Sequence, residues 1–238
     1  MRLNDDVHVL ELPMLRDGQT FILNLSLVLD PEGGPTLVDA GLPGQEEAIA
    51  AALAEAGVAV RDLGRIVLTH QDIDHVGSLH GLARQSCARV LAGAVEAPFI
   101  DGRARPRFAR PELLEQRPEF RAVIERLQPT PVDEELQDGS RLDLAGGTRV
   151  VFTPGHTPGH ICLFLERTGT LVAGDALTAS EGRLNGPNPG ATMDMDAAGR
   201  SVGRLAELDV RAVVCYHGGV VADDASGQLR RVAQELAT

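Results

Sequence analysis

The sequence predicts an α+β fold in which helices cover the outer faces of two β-sheets. Stretches of β character and stretches of helical character follow one another as strands, helices, strands, helices, through two successive halves. The chain has 238 residues, 43% of them apolar, enough to bury a sizeable core as a single domain over residues 1–238. Amphipathic helices and half-buried sheets each have an apolar face to hide, which forces layered packing.

Residues 7–12 and 20–30 open the chain as strands; the second contains FILNLSLVLD, rich in β-formers and partly alternating. Residues 31–34 read as a turn, and 36–39 as a short strand ending in Asp-Ala-Gly. Residues 44–56 are Ala-rich, with Glu46, Glu47 and Glu55 on the wet side of a helix. An apolar strand at 65–68 runs directly into a polar cluster at 70–75, followed by a helix over 76–85 and a strand over 89–92. Between 94 and 130 Pro and Arg crowd the chain and 111–127 looks helical, so we expect a partly helical insertion or cap at one edge of the core. A solvated connection and a substrate lid fit that segment equally well. Strands at 142–145 and 148–152 flank Gly146-Gly147, a hairpin signal, and further strands follow at 161–166 and 170–173. A helix over 196–208, a strand over 212–215 and a helix over 223–236 close the chain.

Composition narrows the function. A net charge of −12 disfavours large nucleic acids as partners. All 22 basic residues are Arg, which excludes lysine Schiff-base chemistry. Cys87, Cys162 and Cys215 are widely spaced with no CxxC pair, so they read as reduced thiols. The N-terminus has no basic region followed by an apolar core, and no apolar run approaches the roughly 20 residues needed to span a bilayer. The expectation is a cytoplasmic protein with a small-molecule substrate and no membrane partner; a homo-oligomer stays open. No GxGxxG or P-loop points to a nucleotide cofactor.

Chemistry concentrates at strand ends. Thr69-His70-Gln71-Asp72-Ile73-Asp74-His75 places four potential metal ligands within six residues. Imidazole and carboxylate together suit zinc, iron and manganese. Downstream, Thr153-Pro154-Gly155-His156-Thr157-Pro158-Gly159-His160 is a stiff turn that presents His156. Asp175 and His217 each follow a short apolar strand.

The set resembles the metallo-β-lactamase superfamily, and within it the hydrolases of the glyoxalase II and lactonase type. Those proteins carry, in order, Asp at the first strand end, a His-x-His-x-Asp-His run, a Gly-His-Thr-Pro-Gly-His turn, a Gly-Asp and a late His. Here the matches are Asp39, His70 to His75, Gly155 to His160, Asp175 and His217. The resemblance implies a four-layer αββα sandwich binding two divalent metal ions, zinc first, with iron or manganese as alternatives. It implies one ion held by His70, His156 and residue 72, another by Asp74, His75 and His217, with Asp175 between them. Asp39 would orient the site from outside the ligand set. The implied reaction is hydrolysis of a small ester, thioester or lactone by a hydroxide bridging the metals, with Asp74 also handling a proton. An iron redox enzyme of the same fold and a small phosphodiesterase are the rivals.

One position departs from the pattern. The family usually has His where this chain has Asp72. The carboxylate makes the cluster one unit less positive and tilts preference towards manganese or iron. We expect Asp72 to ligate, because leaving it uncoordinated near a metal is energetically poor. His160, Tyr216 and Cys215 are expected to be structural, and His8 and His80 ordinary. An Arg from 94–130, or Arg183, is a candidate for holding a substrate carboxylate.

Overall fold

The computed structural model describes residues 1–16, 18–31, 33–116, 118–125 and 127–237. The N-terminal half supplies β1 (Val7–Arg16), β2 (Gln19–Val28), β3 (Thr36–Val38), β4 (Arg65–Leu68), β5 (Arg89–Gly93) and β6 (Glu134–Leu136), which form one sheet in that order. The C-terminal half supplies β7 (Arg141–Leu142), β8 (Thr148–Phe152), β9 (Ile161–Leu165), β10 (Thr170–Gly174), β11 (Thr178–Ser180), β12 (Arg183–Asn185), β13 (Ala212–Cys215) and β14 (Gly219–Val221). Six of these make the second sheet, in the order β14-β13-β10-β9-β8-β7, while β11 and β12 pair separately. The helices are α1 (Glu46–Glu55), α2 (Ile73–Val76), α3 (Leu79–Ser86), α4 (Ala97–Ile100), α5 (Pro111–Gln116), α6 (Pro118–Ile124), α7 (Met195–Leu205) and α8 (Ala225–Leu236).

Three apolar clusters define four layers. Ile49 and Leu53 of α1 and Leu79 and Leu82 of α3 pack on Leu25, Ile66 and Leu68 of the first sheet. Val38, Val67 and Leu91 meet Val150, Ile161, Leu163, Leu165 and Val172 between the sheets. Val202 and Leu205 of α7 and Leu229 and Val232 of α8 pack on Cys162, Phe164, Leu171 and Val213. Strand alternation builds this: within β4, Ile66 and Leu68 face the helices and Val67 the other sheet. Sheets buried on both faces need apolar residues at every position, and β9 and β10 are buried throughout. The expected αββα sandwich is the observed fold.

Local differences have identifiable causes. The helix expected over 76–85 is two helices, α2 and α3, because the backbone N–H groups of Gly77 and Ser78 donate to Gly41 O at 2.9 Å and Ala40 O at 3.2 Å in the adjoining loop and so leave the helical ladder. The helix expected over 111–127 is α5 and α6; Arg117 and Arg126 lie outside the described residues, as does Glu32 of the 31–34 turn. Of the strand at 142–145 only Leu142 pairs, while Leu144 and Ala145 turn into the core between the sheets. The strands β6, β11, β12 and β14 are three residues each and too short to show periodicity. Among the described residues no helix is long and apolar enough to cross a membrane.

The topology determines where polar groups converge. Strands β3, β4 and β5 are parallel, as are β10 and β13, so their carboxyl ends reach common edges. The two sheets are tied at that rim by Ile161 N to Thr69 O at 3.0 Å and Asn24 N to Tyr216 O at 2.9 Å.

Candidate metal centre

Asp39 leaves β3 with a φ of 66°, a left-handed conformation that Asp tolerates better than most residues. Its carboxylate is buried. It accepts from Thr69 N at 2.8 Å and from the Thr69 hydroxyl, and it faces His75 Nδ1 at 2.9 Å. With Nδ1 donating to Asp39, His75 Nε2 is directed into the site, 3.3 Å from Asp175 Oδ1. A carboxylate behind an imidazole in this way fixes its tautomer and orientation for a metal.

Asp175 is delivered by a bulge, since the register of β10 against β13 shifts between Val172 and Gly174. Gly174 has a φ of +49°, and a Cβ there would stand 2.7 Å from His160 Nε2. That nitrogen accepts from Asp175 N at 3.0 Å, while His160 Nδ1 lies 2.8 Å from the Thr153 hydroxyl. His160 therefore fastens the backbone of Asp175 and points no free nitrogen at the site. Gly155 makes the turn before His156, at a φ of +144°, where a Cβ would collide with Ala198. The Tyr216 hydroxyl donates to Asp74 O, and its ring lies 3.8 Å from the His75 ring, centre to centre. Cys215 is fully buried under the second sheet.

Two groups of ligand atoms result. Those of His70, His156 and Asp175 lie within 4.8 Å of one another, and so do those of Asp74, His75 and His217. Asp175 reaches both: Oδ2 is 3.6 Å from His156 Nε2 and 3.5 Å from His217 Nε2. His70 Nε2, His75 Nε2 and Asp175 Oδ1, which face the site, are buried without a hydrogen-bond partner. Buried polar atoms are ordinarily paired, and three orphans gathered at one rim fit a site built for cations.

The electrostatics follow from three carboxylates crowded among four imidazoles. Burial works to lower the His75 pKa, but Asp39, Asp175 and Asp74 outweigh it and raise it well above the usual value. Burial, opposed in the same way by Asp175 and Asp74, leaves His217 pushed up to about 9. Burial would raise Asp175, yet His75 and His217 hold it well below the usual carboxylate range. For His160, burial and the neighbouring imidazoles act together to keep the ring neutral.

Asp72 has a partner that the sequence did not indicate. Its carboxylate lies against both imidazoles of the first group, with Oδ2 3.4 Å from His70 Nε2 and 3.1 Å from His156 Nε2. The converging trio is completed by Asp175, and Asp72 is also gripped by Arg107, whose Nη2 donates to the same Oδ2. An arginine of the 94–130 segment, a candidate for holding a substrate carboxylate, here binds a carboxylate of the chain itself. Arg183 is exposed on β12.

Three participants escaped the sequence reading: Arg107, Gln71 and Glu96. Glu96 is fully buried; its Oε2 accepts from Gln71 N and Nε2, each at 3.0 Å, and its Oε1 from Gly159 N at 2.9 Å. It thus holds the loop of His70 to the turn of His156. The available signal was a lone carboxylate in the apolar run LAGAVEAPFI.

The comparisons agree with this geometry. The metallo-beta-lactamase superfamily model matches residues 20–217, a span holding every residue of the site. The chain belongs to the metallo-β-lactamase superfamily. A probable metallo-hydrolase of Bacillus subtilis, YflN, is 29% identical over 203 residues, covering 76% of this chain and 74% of the relative. A hydroxyacylglutathione hydrolase of a Synechococcus strain is 31% identical over 182 residues, covering 75% of this chain and 56% of that enzyme. The match to the latter thus takes in little more than half of that enzyme's length. The crystal structure of a superfamily protein of Thermus thermophilus superposes with a TM-score of 0.74 at 31% identity, covering 99% of this chain and 79% of that one. As a member of this superfamily, with named hydrolases among its relatives, the chain is an enzyme of the metallo-hydrolase class.

Proposed function

We propose that this enzyme hydrolyses a small ester, thioester or lactone, with two divalent cations, zinc first, held by His70, His156, Asp72 and Asp175 and by Asp74, His75 and His217. The observation that carries the reading is the pair of ligand groups meeting at Asp175, with His70 Nε2 and His75 Nε2 buried and unpartnered between them. Divalent cations at such a centre lower the pKa of a water to near neutrality and polarise a carbonyl oxygen. The chain's own residues do the remaining work. Asp39 and Tyr216 hold His75 and Asp74 from behind, and His160 holds Asp175. Asp74, partly open at the rim, is placed to take the proton that the attacking water gives up. The hydroxyacylglutathione hydrolases among the relatives favour a thioester within this class.

The test is a panel of esters, thioesters and lactones offered to protein stripped by chelation and reloaded separately with zinc, manganese or iron. Hydrolysis by reloaded protein and its loss in His156→Ala is the expected result. Protein that takes up cations but turns over nothing in the panel would sink the proposal. Iron in native material with a visible absorption band would instead favour redox chemistry.

A further inference from the structure

Arg107 stands in the 94–130 segment, in a 3-10 turn over Arg107–Ala109, with only about a fifth of its side chain exposed. All three nitrogens of its guanidinium donate to oxygen acceptors. Nε donates to Asp72 Oδ1 and Nη2 to Asp72 Oδ2, a two-pronged grip. Nη1 donates to His156 O at 3.3 Å and Ala191 O at 3.0 Å, and Nη2 also lies 3.1 Å from His156 Nε2. The backbone is held as firmly, since Arg107 N donates to Gln71 Oε1 at 2.9 Å and Gln71 is tied to Glu96. A guanidinium so completely engaged is a fixed part of the site and not a mobile side chain.

We propose that Asp72 and Arg107 form a single unit that replaces the neutral imidazole of the usual motif at the His70–His156 cation position, with Arg107 as its positioning residue. This rests on the metal-centre reading above. Two physical arguments carry it. The first is charge: Asp72 adds one negative unit that a neutral His would not, and the guanidinium returns it. The second is geometry. Ligands of a tetrahedral zinc, each at roughly 2.0–2.2 Å, stand about 3.3 Å apart. Asp72 Oδ2 keeps distances of 3.4 Å and 3.1 Å to the imidazole nitrogens of His70 and His156. Arg107 holds the carboxylate there, and an oxygen that accepts from Arg107 retains a lone pair for a cation. The Asp side chain, shorter than the His it stands in for, is aimed by a partner from a different part of the chain.

A unit of two residues must be exchanged as two, which supplies the test. Cation content after dialysis and affinity by competition with a chelating dye are measured for wild type, Asp72→His, Asp72→His/Arg107→Leu and Arg107→Lys. Folding of each is checked by thermal melting in chelator. Wild type is expected to hold two equivalents. Asp72→His leaves an unpaired guanidinium beside His156 and should weaken one equivalent ten-fold or more, by about the factor typical of outer partners of metal ligands. The double variant removes that cation and should regain the second equivalent, a rescue that a merely structural role for Arg107 would not produce. Arg107→Lys keeps the charge but loses the fork, and should weaken the same equivalent even if Asp72→His fails to fold. Unchanged affinity in Asp72→His and in Arg107→Lys, a double variant no better than Asp72→His, or a wild type that holds one equivalent would overturn the pairing. A wild type that takes up no cation would overturn the metal centre itself.

Discussion

At the scale of single residues, the site holds two imidazoles, His70 and His75, whose Nδ1 atoms have partners while their inward Nε2 atoms are free. Asp39 shows how much depends on a group that need touch no cation. Asp39→Ala removes the acceptor for His75 Nδ1 and for two groups of Thr69, and should lower cation affinity about 10–100-fold. Dye competition at fixed pH reads this directly. His217 makes a second prediction. Its pKa is raised from 6.5 to about 9 in the cation-free fold, so its protonated form stabilises that fold fully below pH 6.5. The contribution is lost as pH climbs through 9. Chelated protein should therefore melt at lower temperature at pH 9 than at pH 6.5, whereas cation-loaded protein should gain over the same interval because uptake no longer expels a proton. A chelated sample that becomes more stable across that range would contradict the placement of His217 between Asp74 and Asp175. At this scale the converging residues were legible from sequence because each lies just beyond a strand end. Arg107 and Glu96 were not, since each acts across tens of residues through a contact that no local spacing encodes.

At the scale of elements, ligand delivery depends on how strands end. The bulge that ends β10 exists because Gly174 accepts a positive φ with His160 almost in contact with it. Gly174→Ala should cost stability through both strain and collision, of the order of 1–3 kcal/mol, and should displace Asp175 from both ligand groups. Equilibrium denaturation gives the first quantity and cation stoichiometry the second. A variant with unchanged stability and two bound cations would show that the bulge is not specified by this glycine. The long strand β2 and the extent of β4 were readable from β-formers and apolar runs. The hairpin β11–β12 and strand β14 were not, because three residues can neither alternate nor bury enough to leave a pattern.

At the scale of the molecule, three apolar clusters between four layers decide what solvent reaches. Cys162 and Cys215 lie in the cluster beneath α7 and α8, fully buried, whereas Cys87 is exposed at the end of α3. Burial pushes the Cys162 thiol up to about 12 and Cys215 higher still. A thiol reagent should therefore modify one cysteine in native protein and three after denaturation, as counted by mass spectrometry. Rapid modification of a second native thiol would mean that the outer helical layer opens far more readily than its packing implies. The layering itself was foreseeable, because apolar runs in the strands and one-sided helices admit few other arrangements. How the 94–130 segment lies against the site was not, since its Pro- and Arg-rich composition suits a solvated connector and a site wall alike.

His70, Asp74 and His75 come from the half of the chain that builds one sheet, and His156, Asp175 and His217 from the half that builds the other. An ion held by both is a rivet through a seam. Prying the halves apart at that rim by a fraction of an ångström would loosen the rivet while the greasy interior below stayed shut. On slow heating, escape of the ion should therefore come before any change in helix content, making it the earliest alarm of damage to the whole assembly.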